Sequence, residues 1–294
     1  MPIKLSSLST FIGVPWWIRI GAKLVLSRLP LSSIHWRRIG IFRHGKMDQP
    51  DYSVVSFERH LSRLGLCADD LGGRVFMELG PGDSIATAII ASAYGARAIL
   101  VDAGPFALTD ISIYLNLSDY LTKIGRSPPD ISGAKTLQDI LQACNGQYLT
   151  DGLTSLFSLR NETVDFVISQ AVLEHIRRHE FLASMLESYR VMKVGGLCSH
   201  SVDMKDHLGG GLNNLRFSHR VWESAYFSSS GFYTNRIQLN DMLTYFKAAG
   251  FEVTNLVCER WDHIPINKSK LSRDFILVSE DDLIINSFDV VLKK

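Results

Sequence analysis

Cysteine is scarce in this chain of 294 residues. The four present, Cys67, Cys144, Cys198 and Cys258, are far apart and form no C-x-x-C pair. That excludes a zinc ribbon and a disulfide framework and suits a reducing compartment, with the thiols serving as small buried hydrophobes. No stretch reaches the ~18 uninterrupted apolar residues of a membrane-spanning helix. The first residues also lack the basic, apolar, small-residue order of a secretory signal. There is no internal repeat and no low-complexity tract. Acid is missing from residues 1–47, which hold Lys4, Arg19, Lys23, Arg28, Arg37, Arg38, Arg43 and Lys46. The rest of the chain therefore carries 23 basic against 30 acidic residues, although the whole has a net charge of +1. An acidic main body does not attract phosphate, which counts against a nucleic-acid substrate; the basic start is the one argument for it.

What is present suits a globular fold: 46% apolar and 21% charged residues. Two parts are expected, an N-terminal extension over 1–49 and a main domain over 50–294. In the extension, residues 16–28 lie between Pro15 and Pro30 and read as a short basic amphipathic helix. Trp16, Trp17 and nearby Lys/Arg give it the composition of an interfacial anchor at a membrane surface. A lid packed on the main domain and an acid-poor transit peptide are the competing readings.

From about residue 50 the pattern becomes helix, then alternating strands and helices. Val54, Phe57, Leu61 and Leu64 make a helical stripe. Strands are expected at about 74–79, 97–102, 147–150, 164–169 and 197–202. Helices are expected from Ser84 to about Tyr94, through much of 104–146, and over roughly 172–193, the last ended by Gly195-Gly196. Residues 204–238 have no strong period and read as a cap. Asn240 is the expected cap of a helix carrying Met242, Leu243 and Phe246. Phe251–Val257 and Phe275–Ser279 are the expected final strands, a late antiparallel pair. The fold class is α/β: a Rossmann-like three-layer sandwich with a mostly parallel seven-stranded sheet.

The chemistry concentrates in Val75-Phe76-Met77-Glu78-Leu79-Gly80-Pro81-Gly82-Asp83-Ser84, a buried strand, a glycine turn and a helix start. Such a turn lets a ligand approach bare backbone, and the helix start offers unpaired N–H groups. Twenty residues after Gly82 a second apolar strand ends on Asp102, where a carboxylate can accept two bonds from a ribose diol. Isoleucine at 85 occupies the third glycine position of the dinucleotide fingerprint, which counts against NAD and FAD. Glu78 would repel a pyrophosphate but suits a cation. An adenosine without phosphate, carrying a positively charged methionine end, meets these demands: S-adenosylmethionine.

On these residues the chain resembles the class I S-adenosylmethionine-dependent methyltransferases, in particular those with Leu-Glu-His after the fourth strand. The resemblance covers roughly residues 70–280. It implies that the turn of Glu78, Gly80 and Gly82 lies under the donor and that Asp102 binds the ribose. It places Asp151, with Gly152 beside it, against the adenine amino group. The fourth-strand motif reads Val164-Asp165-Phe166-Val167-Ile168-Ser169-Gln170-Ala171-Val172-Leu173-Glu174-His175, and Gln170 at its tip is a further donor-pocket candidate. Tyr189-Arg190-Val191-Met192-Lys193-Val194-Gly195-Gly196-Leu197 is similar to the family's helix-to-fifth-strand corner. Ser84 replaces a third glycine often found in the turn. Arg38 to Asp48 resembles a segment of bacterial methyltransferases in surface-polysaccharide gene clusters.

Methyl transfer needs alignment of nucleophile, methyl and sulfur, and a hydroxyl acceptor gains from a base. His207, oriented by Asp206 or Asp203, is the first candidate. His175, read as beginning the helix after the fourth strand and kept neutral by it, is the second. Asn213, Asn214 and Arg216 are candidates for orienting a polar acceptor, with Trp222 stacking on it. No metal is expected, although Asp203, Asp206 and His207 form a cluster of cation-binding type. The favoured function is O-methylation of a small or medium polar acceptor, a saccharide or lipid-linked metabolite. The expected place is the cytoplasm, with a peripheral position at the inner membrane face through residues 16–28 left open. Alternatives are a non-catalytic donor-binding module, a nucleic-acid or protein methyltransferase, and, remotely, a GDSL-like serine hydrolase on Gly82-Asp83-Ser84.

Overall fold

The computed structural model describes residues 16–26 and 46–294. Most of the basic extension, including Arg28, Trp36, Arg37, Arg38 and Arg43, lies outside the described residues. Seven strands form one sheet: β1 Val75–Leu79, β2 Arg97–Val101, β3 Gln147–Leu149, β4 Val164–Gln170, β5 Met192–Asp203, β6 Glu252–Arg260 and β7 Ile285–Lys293. Their order is β3-β2-β1-β4-β5-β7-β6. The first five strands in that order pair in parallel, and β7 pairs antiparallel with both β5 and β6. The expected sandwich with a late antiparallel pair is therefore the observed one.

Alternation along the strands divides the core into two layers. Phe76, Leu100, Phe166 and Ile168 face the helices Pro50–Leu64, Ala86–Ala93 and Ile111–Lys123. Met77, Leu79, Ile99, Val167 and Cys198 face Phe181–Val191 and Leu239–Ala248. The expected stripe of Val54, Phe57, Leu61 and Leu64 is buried in the first layer. One buried polar seam crosses it: His60 Nδ1 meets Ser199 Oγ at 2.8 Å. On the other side of β5, His200 Nδ1 meets Ser169 Oγ at 2.8 Å. Burial is the main force pulling both imidazoles down to about 3, so they are neutral structural groups.

Four expectations are corrected. The helix after β4 begins at Phe181, not near 172. Ala171 takes φ +54° and His175 N–H bonds Val172 O, so the chain turns before it can coil. Gly195-Gly196 does not end that helix; β5 already starts at Met192 and runs through the glycines in an irregular register with β4. A Cβ at Gly196 would lie 2.9 Å from Asp165 O, which explains the small residue. Asn240 sits inside the helix Leu239–Ala248, whose N-cap is Gln238; its amide donates to Asp282 Oδ2 at 2.9 Å. Phe275–Ser279 is not a strand: Phe275 plugs a cluster with Leu212 and Leu215, Leu277 points to solvent, and Ser279 caps the helix Glu280–Leu283. The closing strand is β7.

The cap fills 204–238 with the short helices His219–Trp222 and Ala225–Ser228. The N-terminal helix Trp16–Leu26 lies on it. Ile20 and Leu24 pack with Leu208, Trp222, Phe232 and Tyr233. Among the described residues no helix is long and apolar enough to cross a membrane.

Candidate functional site

The carboxyl ends of β1, β2, β4 and β5 converge where a parallel sheet of this kind opens a crevice. Gly80 leaves β1 at φ +66°, its N–H bonding Val101 O at 2.8 Å. A Cβ there would lie within 2.6 Å of both Val172 methyls, so only glycine lets β1 and the β4 tip close up. Gly82 follows at φ +63°. Its N–H donates to Asp102 Oδ2 at 2.9 Å, and Ala103 N–H donates to Asp102 Oδ1 at 2.7 Å. Asp102 thus pins the glycine turn to the tip of β2, a task the sequence does not reveal. A carboxylate can accept several hydrogen bonds at once, so holding the turn is compatible with accepting from a ribose diol. Gly152 N–H bonds Asp102 O at 2.8 Å, carrying the line on to the exposed Asp151 at the end of β3.

Glu78 and Gln170 lie on the same face of neighbouring strands. Glu78 Oε2 and Gln170 Oε1 are buried without a hydrogen-bond partner. Leaving such acceptors empty costs about 1–3 kcal/mol each. Burial pushes the Glu78 carboxyl up to about 7, and the charge of Asp102 adds to the push. Two hungry acceptors and a carboxyl lacking a cation fit a phosphate-free nucleoside with ammonium and sulfonium charges. They do not fit a pyrophosphate. Glu78, Gly82, Asp102, Asp151, Gly152 and Gln170 would hold it.

Beyond the carboxyl ends of β4 and β5 the two candidate bases meet. His207 Nε2 lies 3.3 Å from His175 Nε2, and the rings stack with centroids 4.9 Å apart. His175 Nδ1 is 2.8 Å from Tyr233 O. A carbonyl only accepts, so Nδ1 carries the hydrogen and Nε2 of neutral His175 the lone pair. His207 must then be the Nε2–H donor of the pair. His175 is held in a turn, not at a helix start, so no helix dipole acts on it.

Asp206 is engaged by the backbone of the cap. Its carboxylate is buried and accepts from the N–H groups of Leu208, Gly210, Gly211 and Asn213, knotting the start of the cap. Asp203 Oδ1 accepts from Lys205 N–H at 2.9 Å and pairs with Lys205 Nζ at 3.2 Å. The acceptor candidates are also engaged inside the cap. Trp222 is fully buried, its indole N–H bonding Thr234 O at 2.7 Å, so no ring face is left for a substrate. Asn214 is buried and donates to Thr234 Oγ1, and Asn213 Oδ1 accepts from Arg216 Nε. The Arg216 guanidinium sits 5.0 Å from the centre of the Trp16 ring. No group of three or more His, Cys, Asp or Glu able to hold a metal ion occurs among the described residues.

Sequence reasoning missed Tyr233, which sets the His175 tautomer, and Asn235, whose amide donates to Leu173 O at 2.7 Å and Ile176 O at 2.9 Å. Both lie at the far end of the cap, with no local signal. Glu174, seen only as part of a motif, turns inward. Burial, then the charge of Asp203, raises its carboxyl to about 8.

Residues 77–199 match a family model described as a methyltransferase domain. No curated protein matches the chain. Among solved structures it is similar to a SAM-dependent methyltransferase of Archaeoglobus fulgidus: 13% identity, TM-score 0.45, 84% of this chain and 95% of that one. A Galdieria sulphuraria protein assigned as a sarcosine dimethylglycine methyltransferase gives 14% identity and TM-score 0.49, covering 89% and 97%. Phosphoethanolamine N-methyltransferase 2 of Haemonchus contortus gives 16% identity and TM-score 0.43, covering 80% of this chain and 52% of that one.

Proposed function

We propose that this chain, whose residues 77–199 match a methyltransferase-domain model, transfers the methyl group of S-adenosylmethionine to a hydroxyl of a small or medium polar acceptor. A saccharide or a lipid-linked metabolite is the favoured class. The observation that carries this reading is the His175–His207 pair at the same carboxyl end of the sheet as the glycine turn. An amine that arrives neutral needs no base, whereas a hydroxyl gains about 10²–10⁴ from one.

S-adenosylmethionine supplies a methyl group already activated by its sulfonium. The acceptor hydroxyl donates to His175 Nε2, replacing the His207 N–H. As the oxygen gains its new bond, its proton passes to His175 Nε2. The imidazolium so formed keeps its Nδ1–H on Tyr233 O. Asn235 fixes the turn that carries His175, which keeps this nitrogen aligned.

The cap and the N-terminal helix act as a lid that shields the acceptor. Trp17 and Ile18, 60% and 43% exposed, leave an apolar face of that helix for a membrane surface when the acceptor is lipid-linked. The test is incubation of the full chain with methyl-labelled donor and a panel of saccharides, lipid-linked saccharides and amines. Label on an oxygen is the expected result; label confined to nitrogen overturns the reading.

A further inference from the structure

The turn after β4 carries a second polar side chain besides His175. Arg177 is half-buried, and its guanidinium lies over the Tyr233 ring at 4.8 Å. Tyr233 therefore touches both residues, His175 through its carbonyl and Arg177 through its ring. Arg177 Nη1 is buried with no hydrogen-bond partner, and among the described residues no carboxylate pairs with it. The adjacent acid Glu223 instead accepts from the Tyr233 hydroxyl at 2.8 Å and lies 3.9 Å from Arg236. Arg178 next in sequence differs: its guanidinium donates to Asn235 O and Arg236 O, so it is a structural clamp.

A guanidinium nitrogen withdrawn from water and left without an acceptor is costly, and the planar fork it belongs to matches a carboxylate or phosphate. The turn is also pinned in advance by Asn235. On the reading that His175 faces the acceptor, we infer that Arg177 is a specificity residue that grips an anionic group of the acceptor, a carboxylate or a phosphate. The acceptor then carries both the hydroxyl to be methylated and a negative charge, as in an acidic sugar or a phosphorylated one.

The test uses the full chain saturated with S-adenosylhomocysteine, titrated calorimetrically with inorganic phosphate and separately with acetate. At least one anion should bind the wild type. Arg177→Gln should weaken that binding tenfold or more, Arg177→Lys less, and Arg220→Gln, at an exposed position, should leave it unchanged. Phosphate alone binding assigns a phosphorylated acceptor; acetate binding assigns a carboxylate. No anion binding to the wild type, or equal binding to Arg177→Gln, overturns the inference. If Arg177→Gln does not fold, phenylglyoxal labelling of the wild type decides. The bound anion should slow labelling of Arg177 at least fivefold and leave the exposed Arg220 unaffected; equal rates overturn it. Failure of S-adenosylhomocysteine to bind would instead strike the donor-site reading.

Discussion

His175 and His207 hold their Nε2 atoms 3.3 Å apart with ring planes only 17° from parallel, brought together from the tips of two adjacent parallel strands. Two bases that the sequence sets up as rivals are one unit. The Tyr233 carbonyl decides which of the two holds the lone pair.

His175→Ala should lower turnover by about 10²–10⁴ while donor affinity stays within twofold, roughly the range for a lost general base. His207→Ala should cost less, on the order of tenfold, because His207 donates to the base and does not itself take the proton. Single-turnover rates with a labelled donor measure both. A larger loss in His207→Ala than in His175→Ala would reverse the assignment.

Donor affinity should depend on pH through Glu78. The folded, empty protein keeps this carboxyl protonated up to about 7, against an ordinary 4.5. Its raised folded value means the free protein loses stability as pH rises from 4.5 through 7, because the unfolded state gives up the proton first. A bound ammonium favours the carboxylate, so affinity should climb towards pH 7 and level above it. Titration calorimetry between pH 5.5 and about 8.5 should show an approach of at most about tenfold per unit. Glu78→Gln should flatten the profile.

Gly80→Ala should destabilise the protein by about 1–3 kcal/mol, the usual cost of a left-handed non-glycine together with overpacking. The double variant with Val172→Ala should recover the steric part and leave the conformational part. Denaturant unfolding of the two variants separates these contributions; strict additivity would show that Val172 is not the obstacle.

Trp222→Ala should act on stability and not on acceptor recognition. Removing a fully buried tryptophan costs about 3–5 kcal/mol. Trp222→Phe keeps most of the packing but leaves Thr234 O without its indole partner. The acceptor KM of Trp222→Phe should match that of the wild type; a tenfold rise would restore the stacking role.

The parts of the fold legible in the sequence are those written in local periodicity. Val54, Phe57, Leu61 and Leu64 reach the core because a 3.6-residue repeat leaves no other buried face. The five parallel strands show as apolar runs because both their faces are covered. Phe275–Ser279 has the apolar run of a strand without being one, because such a run does not say what covers it. β7 alternates with Asn286, Ser287 and Asp289 at intermediate exposure and gives a weaker signal. At the site, the glycine turn and Asp102 stand out because backbone geometry demands them. The tautomer of His175 does not, since it depends on a carbonyl 58 residues away. The burial of Trp222 and the backbone bonds of Asp206 are not legible either, because polarity and aromaticity look alike in a cap and in a pocket.

The account depends most on a nucleoside cradle built from the Gly80–Gly82 turn and Asp102. Its direct measurement is calorimetric titration of the full chain, wild type and Asp102→Ala, with S-adenosylhomocysteine and, separately, NAD. One-to-one binding of S-adenosylhomocysteine is expected, weakened at least tenfold by the substitution, with no heat from NAD. Equal affinity in the two proteins, or preferential binding of NAD, would contradict it.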